Sequence, residues 1–425
     1  MKNKQLRIPL IIFMLALLFR IAGSYIKETY YFHAPFIHYG NDLLRDDLSD
    51  SLLYNYTAKS IASGHGYAIN IKEMCVTEVR RNVVVVEGDK GFFRHKVVPP
   101  VYPIFIAIFY YIFGINTFSY FVPQVLLGSI TCCLVYFVAK DIFNEKVAVV
   151  SALMVALYPE LIFWAFIVRN ETLFIFLLAL FFLLFLRKDS KQNYVFTVVM
   201  GIILGLACLT RIIIMFFVPI IFLWQYFRWE GSKTKALIWL FVFFCSFSLV
   251  VLPWAVRNYF VFNNFTPLTD EAGTAFLDYP SNVVYPFNPS ANIQTKSYVS
   301  AFVDFVWHNP YEFTSKSLER FIIFMSPFTR PNHDLAKIYK GFTWIFIFPA
   351  SFLGIFISAR KQWARSGLLI LFIFYYILIH SFIFVDTGLV YRYPILPFLC
   401  IFAAYAYWLI YDKLMPKKSI FGIEK

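Results

Sequence analysis

Residues 99–114 read PPVYPIFIAIFYYIFG, an apolar run opened by prolines and closed by glycine. A membrane span needs about 20 apolar residues, and this run falls short. Its placement decides everything after it. Candidate spans lie near 8–26, 118–139, 147–165, 170–186, 194–210, 212–227, 236–254, 341–359, 367–384 and 393–411. If 99–114 is kept out of that series, the basic residues sort to one side: Lys2, Lys4 and Arg7; Lys140 and Lys146; Arg187, Lys188 and Lys191; Arg228, Lys233 and Lys235; Arg360, Lys361 and Arg365; Lys413, Lys417 and Lys418. That is the arrangement the positive-inside rule requires of cytoplasmic loops. The run is therefore expected to be an interfacial or re-entrant helix with proline in its first turn. Both termini are then cytoplasmic. The long polar segments 27–98 and 255–340 face the exoplasm, with the short turns holding Arg169, Arg211 and Asp386–Arg392.

The composition agrees with this threading. The chain has 425 residues, 60% hydrophobic and 21% aromatic, only 15% charged, with a mean hydropathy of +0.65. That excludes a soluble globular domain. A net charge of +13 would suggest nucleic acid in a soluble protein, but here the cations sit in gaps between apolar runs and no nucleic-acid partner is expected. Cys132, Cys133, Cys208, Cys245 and Cys400 lie in apolar runs and only Cys75 in a polar one, so no disulfide is expected outside the membrane. Lys2, Lys4 and Arg7 precede a run that ends near Gly23 and is long enough to span, which favours an uncleaved anchor over a signal peptide. The expected fold is one all-α polytopic membrane domain over 1–425. It has about ten transmembrane helices and two long exoplasmic loops containing juxtamembrane helices, one of them around 298–325.

The first exoplasmic loop, 27–117, carries SDSLLYNYTAKSIASGHGYA at 49–68. Asp50, Tyr54, Ala58 and Ile61 fall on one helical face, and Ser49 or Asp50 is a natural N-cap. Were the helix to extend back, Asp46 would share that face with Asp50, and two carboxylates so close raise one pKa toward a base-like value. After it come PPVYPIFIAIFYYIFG, LYPELIFWAFIVRNETLFIFLL, GLACLTR, LPWAVRNYFVFNNFTPL and YRYPILPFL.

This ordered series resembles the bacterial relatives of the dolichyl-phosphate-mannose protein mannosyltransferases and of the lipid A aminoarabinose transferases, in the GT-C class of polyprenyl-phosphate-sugar glycosyltransferases. The resemblance runs over nearly the whole chain. It implies a polyprenyl-phosphate-linked sugar donor, a lipid, glycan or protein acceptor, and a site on the periplasmic or extracellular side of a bacterial plasma membrane. It also implies that the loop acid four positions before an aromatic residue is catalytic, which here is Asp50. The family's common second acid is replaced by Ser51, so Asp47 and Asp46 stand as alternatives.

Such a transfer needs one carboxylate to take a proton from the acceptor hydroxyl and cations to stabilise the departing phosphate. One acid suffices for an inverting displacement, because a polyprenyl phosphate leaves without being protonated. Arg211, Arg257, Arg392 and Lys96, all at exoplasmic ends, are the expected phosphate ligands. Tyr54, Tyr102, Glu171 and Asn258 are expected to line the substrate cavity, with Glu171 pairing with Arg169 or capping the next span. His65 reads as a turn residue, and the histidine spacing builds no metal site. A Mg²⁺ or Mn²⁺ ion bridging the loop acids to phosphate is chemically reasonable, but the resemblance disfavours any cofactor. A polysaccharide polymerase or ligase is the nearest alternative function. A lipid-linked sugar flippase should show broken helices in repeated halves, and the sequence has none.

Overall fold

The computed structural model describes residues 2–30, 46–70, 86–87, 91–187, 193–263, 303, 306–326, 334–382 and 389–414. Helices α1 (Lys2–Tyr30), α2 (Asp46–Ala62), α3 (Val101–Phe113), α4 (Thr117–Ile142), α5 (Glu145–Leu157), α6 (Pro159–Phe163), α7 (Glu171–Leu186), α8 (Tyr194–Cys208), α9 (Val218–Phe227) and α10 (Lys233–Phe262) come first. After them come α11 (Pro310–Met325), α12 (Asp334–Lys361), α13 (Trp363–Phe382) and α14 (Leu396–Leu414). Every apolar run expected to span becomes helical. Among the described residues, 6 helices are long and apolar enough to cross a membrane, and the others of this kind are shorter. The run 147–165 is not one straight helix. Pro159 has no N–H with which to continue α5, so the chain breaks after Tyr158 and restarts at an angle of 58°.

Helices in a bilayer gain little from hydrophobic burial against one another, so they associate where small residues let backbones approach. Gly201 and Gly205 do this between α8 and α10: an added Cβ would stand 2.7 Å from the Phe243 carbonyl oxygen at Gly201 and 2.8 Å from Val250 Cβ at Gly205. Gly354 on α12 lies directly on the Phe402 backbone of α14.

Among the described residues, the basic gaps holding Lys140, Lys146, Arg187 and Arg365 gather at one end of this bundle. Asp141 near the end of α4 lies within electrostatic reach of Lys140, Arg187 and Arg365, and Lys146 Nζ sits 4.5 Å above the Trp408 ring of α14. Both ends of α3 lie at the opposite end. Its first residue, Val101, donates its N–H to the Leu209 carbonyl just past α8 at 3.1 Å. Its last turn passes through Gly114 (φ 81) into Asn116, the N-cap of α4, whose far end is the basic one. Its 13 residues are about 20 Å long, against about 30 Å of hydrocarbon. Tyr102, Ile106 and Tyr110 are buried, while Ile104, Ile108, Tyr111 and Ile112 stay exposed, an outward face suited to lipid.

The expected all-helical architecture acquires one addition, a sheet of β1 (Ala68–Asn70), β2 (Val86–Glu87) and β3 (Phe92–Arg94) in the order β1-β3-β2. Both pairings are antiparallel, with Ala68 and Val86 each opposite Arg94. The turn from α2 into β1 uses Gly64 (φ 82) and Gly66 (φ 76), backbone conformations that a side chain would strain. His65 between them stacks on Phe92 at 3.9 Å. In the second polar segment, α11 covers much of the helix expected around 298–325, while 264–302 and 327–333 lie outside the described residues.

Candidate active site

Helix α2 begins at Asp46, earlier than the cap expected at Ser49 or Asp50. Asp50 therefore lies one turn inside the helix, with Asp46 one turn behind it on the same face. The side chains of Asp46, Asp47 and Asp50 lie outside the described residues. From the next turn onward the helix is closely held: Tyr54, Thr57 and Ala58 are buried. The Tyr54 hydroxyl accepts a hydrogen bond from Asn170 Nδ2 at 2.8 Å, and its ring meets Tyr102 edge-on at 5.0 Å. Tyr102 donates to Gln124 Oε1 at 2.9 Å, and Gln124 Nε2 donates to the Ile167 carbonyl at 3.1 Å. Tyr110 donates to Asn55 Oδ1 at 2.8 Å. These bonds fix α2 on α3 and on the turn that opens α7.

Beside that turn lies a buried ion triad. Glu171, 1% exposed, takes Arg169 Nε at 3.3 Å and Arg211 Nη2 at 3.2 Å. Arg211 also donates to the Tyr376 hydroxyl at 3.2 Å and lies over Tyr391. One carboxylate between two guanidiniums leaves a local positive excess, which is what a phosphate site requires. A small crevice adjoins Glu171 and is also lined by Arg20, Thr131, Trp164, Thr172 and Tyr393.

The other expected cations are elsewhere. Arg257 donates to the His95 carbonyl at 2.9 Å, to Asn258 Oδ1 at 3.0 Å and to the Tyr67 carbonyl at 3.2 Å, with Trp254 4.8 Å from its guanidinium. Lys96 shares the Phe262 ring with it. Arg392 donates to the Ser326 carbonyl at 2.8 Å and lies 3.5 Å from that of Phe324, at the C-terminal end of α11 where a cation is favoured. The structure thus brings Arg257, Lys96 and Asn258 together, and separately Arg211 and Glu171, with Tyr54 bonded to the neighbouring Asn170 and Tyr102 against the Tyr54 ring. Arg392 stands apart as an anchor for α11.

His95 links the two groups. Thr57 donates its only hydroxyl hydrogen to the Leu53 carbonyl at 2.6 Å, so at 2.9 Å from His95 Nε2 it must accept, and the ring carries its proton on Nε2. Burial, and then the charge of Arg257, hold the His95 pKa down at about 3. The unfolded chain binds this proton below an ordinary histidine pKa of about 6.5, and the folded one does not until about 3. Stability therefore falls as pH drops through that window, by about 1.4 kcal/mol per unit from this group. His95→Gln keeps the donor and removes the titration, so its melting temperature in detergent should fall less than that of the parent between pH 7 and pH 4. Parallel curves would assign the acid loss to other groups.

Sequence reasoning missed Asn170, Gln124, Thr57, His95 and Tyr376 as structural partners of the site. The signal for Asn170 and Gln124 was a polar side chain inside an apolar stretch, which needs a partner wherever it is buried. Among the described residues, no three metal-ligating side chains of His, Cys, Asp or Glu type lie together.

The bundle is shared with known structures. The apo oligosaccharyltransferase from Archaeoglobus fulgidus superposes over 96% of this chain with a TM-score of 0.55 at 14% identity. ArnT from Cupriavidus metallidurans, solved with undecaprenyl phosphate, superposes over 84% with a TM-score of 0.54 at 13% identity. The chain has the GT-C fold. A complex of the Archaeoglobus fulgidus enzyme AglB with an inhibitory peptide and a dolichol-phosphate superposes over 88% with a TM-score of 0.53 at 14% identity. The chain spans about half the length of these proteins, covering 51%, 55% and 48% of them respectively. The family model for dolichyl-phosphate-mannose-protein mannosyltransferases matches residues 97–255, which include Tyr102, Asn170, Glu171 and Arg211. No curated protein sequence matches the chain.

Proposed function

We propose that this GT-C chain transfers a sugar from a polyprenyl phosphate to an acceptor hydroxyl at the exoplasmic face of its membrane, with inversion at the anomeric carbon. The observation that carries this reading is the fixing of the acid-bearing helix α2 beside the Arg211–Glu171–Arg169 triad, at the end of the bundle away from the basic gaps. The lipid phosphates bound by the GT-C proteins described above supply the donor class. Asp50 takes the proton from the acceptor hydroxyl as its oxygen bonds to the anomeric carbon. The bond from that carbon to the phosphate oxygen breaks, and its electron pair leaves with the polyprenyl phosphate, stabilised by Arg211. Arg257 and Lys96 form the second cationic edge, for which the opened contacts of Arg257 to the Tyr67 and His95 carbonyls would provide the donors. The acceptor is a lipid, glycan or protein hydroxyl, and the setting is a bacterial plasma membrane.

Purified protein in proteoliposomes should move label from polyprenyl-phosphate-linked sugars, extracted from the native membrane, to an acceptor in the same extract. A labelled donor that stays intact while crossing the bilayer would instead show a flippase. The sidedness has its own test at Asn116, which is exposed just past α3. With Cys245, the exposed native cysteine among the described residues, and Cys75 both replaced by Ser, a cysteine introduced at 116 should react with an impermeant reagent from outside. Labelling only from the cytoplasm would mean that this end of the bundle, and the site with it, faces inward.

A further inference from the structure

We infer that Asn170 is a positioning residue that sets the register of the catalytic helix against the phosphate-binding turn, an inference that rests on the transfer reading above. Asn170 is the N-cap of α7, a place where asparagine ordinarily turns its side chain back to accept from the helix's own free N–H groups. Here no such cap bond is made. The amide instead reaches outward and, through Nδ2 alone, donates both its hydrogens: one to the Tyr54 hydroxyl at 2.8 Å and one to the Thr210 carbonyl at 2.8 Å. The carbonyl can only accept, so the nitrogen side of the amide is fixed without ambiguity.

The placement of these partners gives the contact its meaning. Tyr54 is one helical turn beyond Asp50. Thr210 immediately precedes Arg211, and Asn170 stands between Arg169 and Glu171. The start of α7 and the end of α8 are therefore joined by two adjacent rungs, the ionic one from Glu171 to Arg211 and the neutral one from Asn170 to Thr210. The neutral rung extends to α2 through the Tyr54 hydroxyl. With Asn170 4% exposed and Tyr54 equally enclosed, water has little access to replace the bond. Beside the packing of α2 on α3, this amide ties the helix of the base directly to the turn of the phosphate cation.

The test uses full-length protein in proteoliposomes with labelled polyprenyl-phosphate sugars extracted from the native membrane. Asn170→Asp keeps the size and offers no N–H, and Tyr54→Phe removes the acceptor. Each should lower kcat by about 10- to 100-fold, the scale expected for a misplaced catalytic group, with the donor KM within about twofold of the parent because the binding groups remain. The double variant should be no worse than the poorer single one, since both break the same link. Hydrogen exchange over residues 46–62 should rise in both, while that over α7 stays unchanged. Equal kcat in Asn170→Asp and the parent, with Asp50→Asn inactive, would overturn the positioning and leave the transfer reading intact. Multiplicative losses in the double variant, or a loss carried by KM, would also overturn it. A wild-type rate in Asp50→Asn would remove the base, and with it anything for Asn170 to position.

Discussion

Asp50→Asn should lower the rate of sugar transfer by about 10²–10⁴-fold, the usual loss when a general base is removed, while the protein still folds and binds undecaprenyl phosphate. The substitution preserves volume, and because α2 already starts at Asp46, the first turn of the helix does not depend on the side chain at 50. Folding and catalysis can therefore be read separately. Transfer is measured in proteoliposomes, and binding of the lipid phosphate by the shift in melting temperature with undecaprenyl phosphate. Asp46→Asn and Asp47→Asn serve as comparators. Wild-type turnover in Asp50→Asn beside a dead Asp47→Asn would move the base by three positions along the helix.

Glu171→Gln should have the largest effect on stability. It leaves Arg169 and Arg211 charged, close together and without their shared carboxylate in a place where all three side chains are at most 11% exposed. Breaking a buried ion pair in this way costs about 3–5 kcal/mol, which should appear as a marked fall in melting temperature in detergent and in reduced yield. Arg211→Gln should cost less in stability, because Glu171 keeps Arg169, but more in donor affinity. If Glu171→Gln melts with the parent, the triad is not what holds the α7 and α8 ends together.

Much of this architecture was written in the order of apolar and basic residues. The runs that became helices are long and obey one dominant constraint, the need to satisfy every backbone group inside lipid. The buried face of α2 at Tyr54 and Ala58 follows from spacing alone. The start of α2 does not, because Asp46, Asp47, Ser49 and Asp50 are all good caps and spacing does not rank them. The three-stranded sheet was invisible because strands of two or three residues carry no measurable alternation. The break at Pro159 was readable from the proline, yet Pro123, Pro253 and Pro349 remain within helices, so proline alone does not decide. The arginines were legible as cations beside apolar runs, but how they would be shared out, one group on Glu171 and another on the carbonyls of Tyr67 and His95, depends on distances between segments far apart in sequence.

The glycine contact between α8 and α10 bears on rate as well as on packing. Arg211 follows the end of α8 and Arg257 lies on the last turns of α10, so the seam at Gly201 and Gly205 makes the backbones carrying the two cations a single stiff body. In water, a phosphate gaining charge must wait for the surrounding dipoles to turn toward it, and that reorientation is a large part of the barrier. A scaffold whose positive groups cannot drift apart between turnovers has little turning left to do. Part of the preorganisation of the proposed site would then rest on two residues that have no side chain at all, several turns away from the bond that breaks.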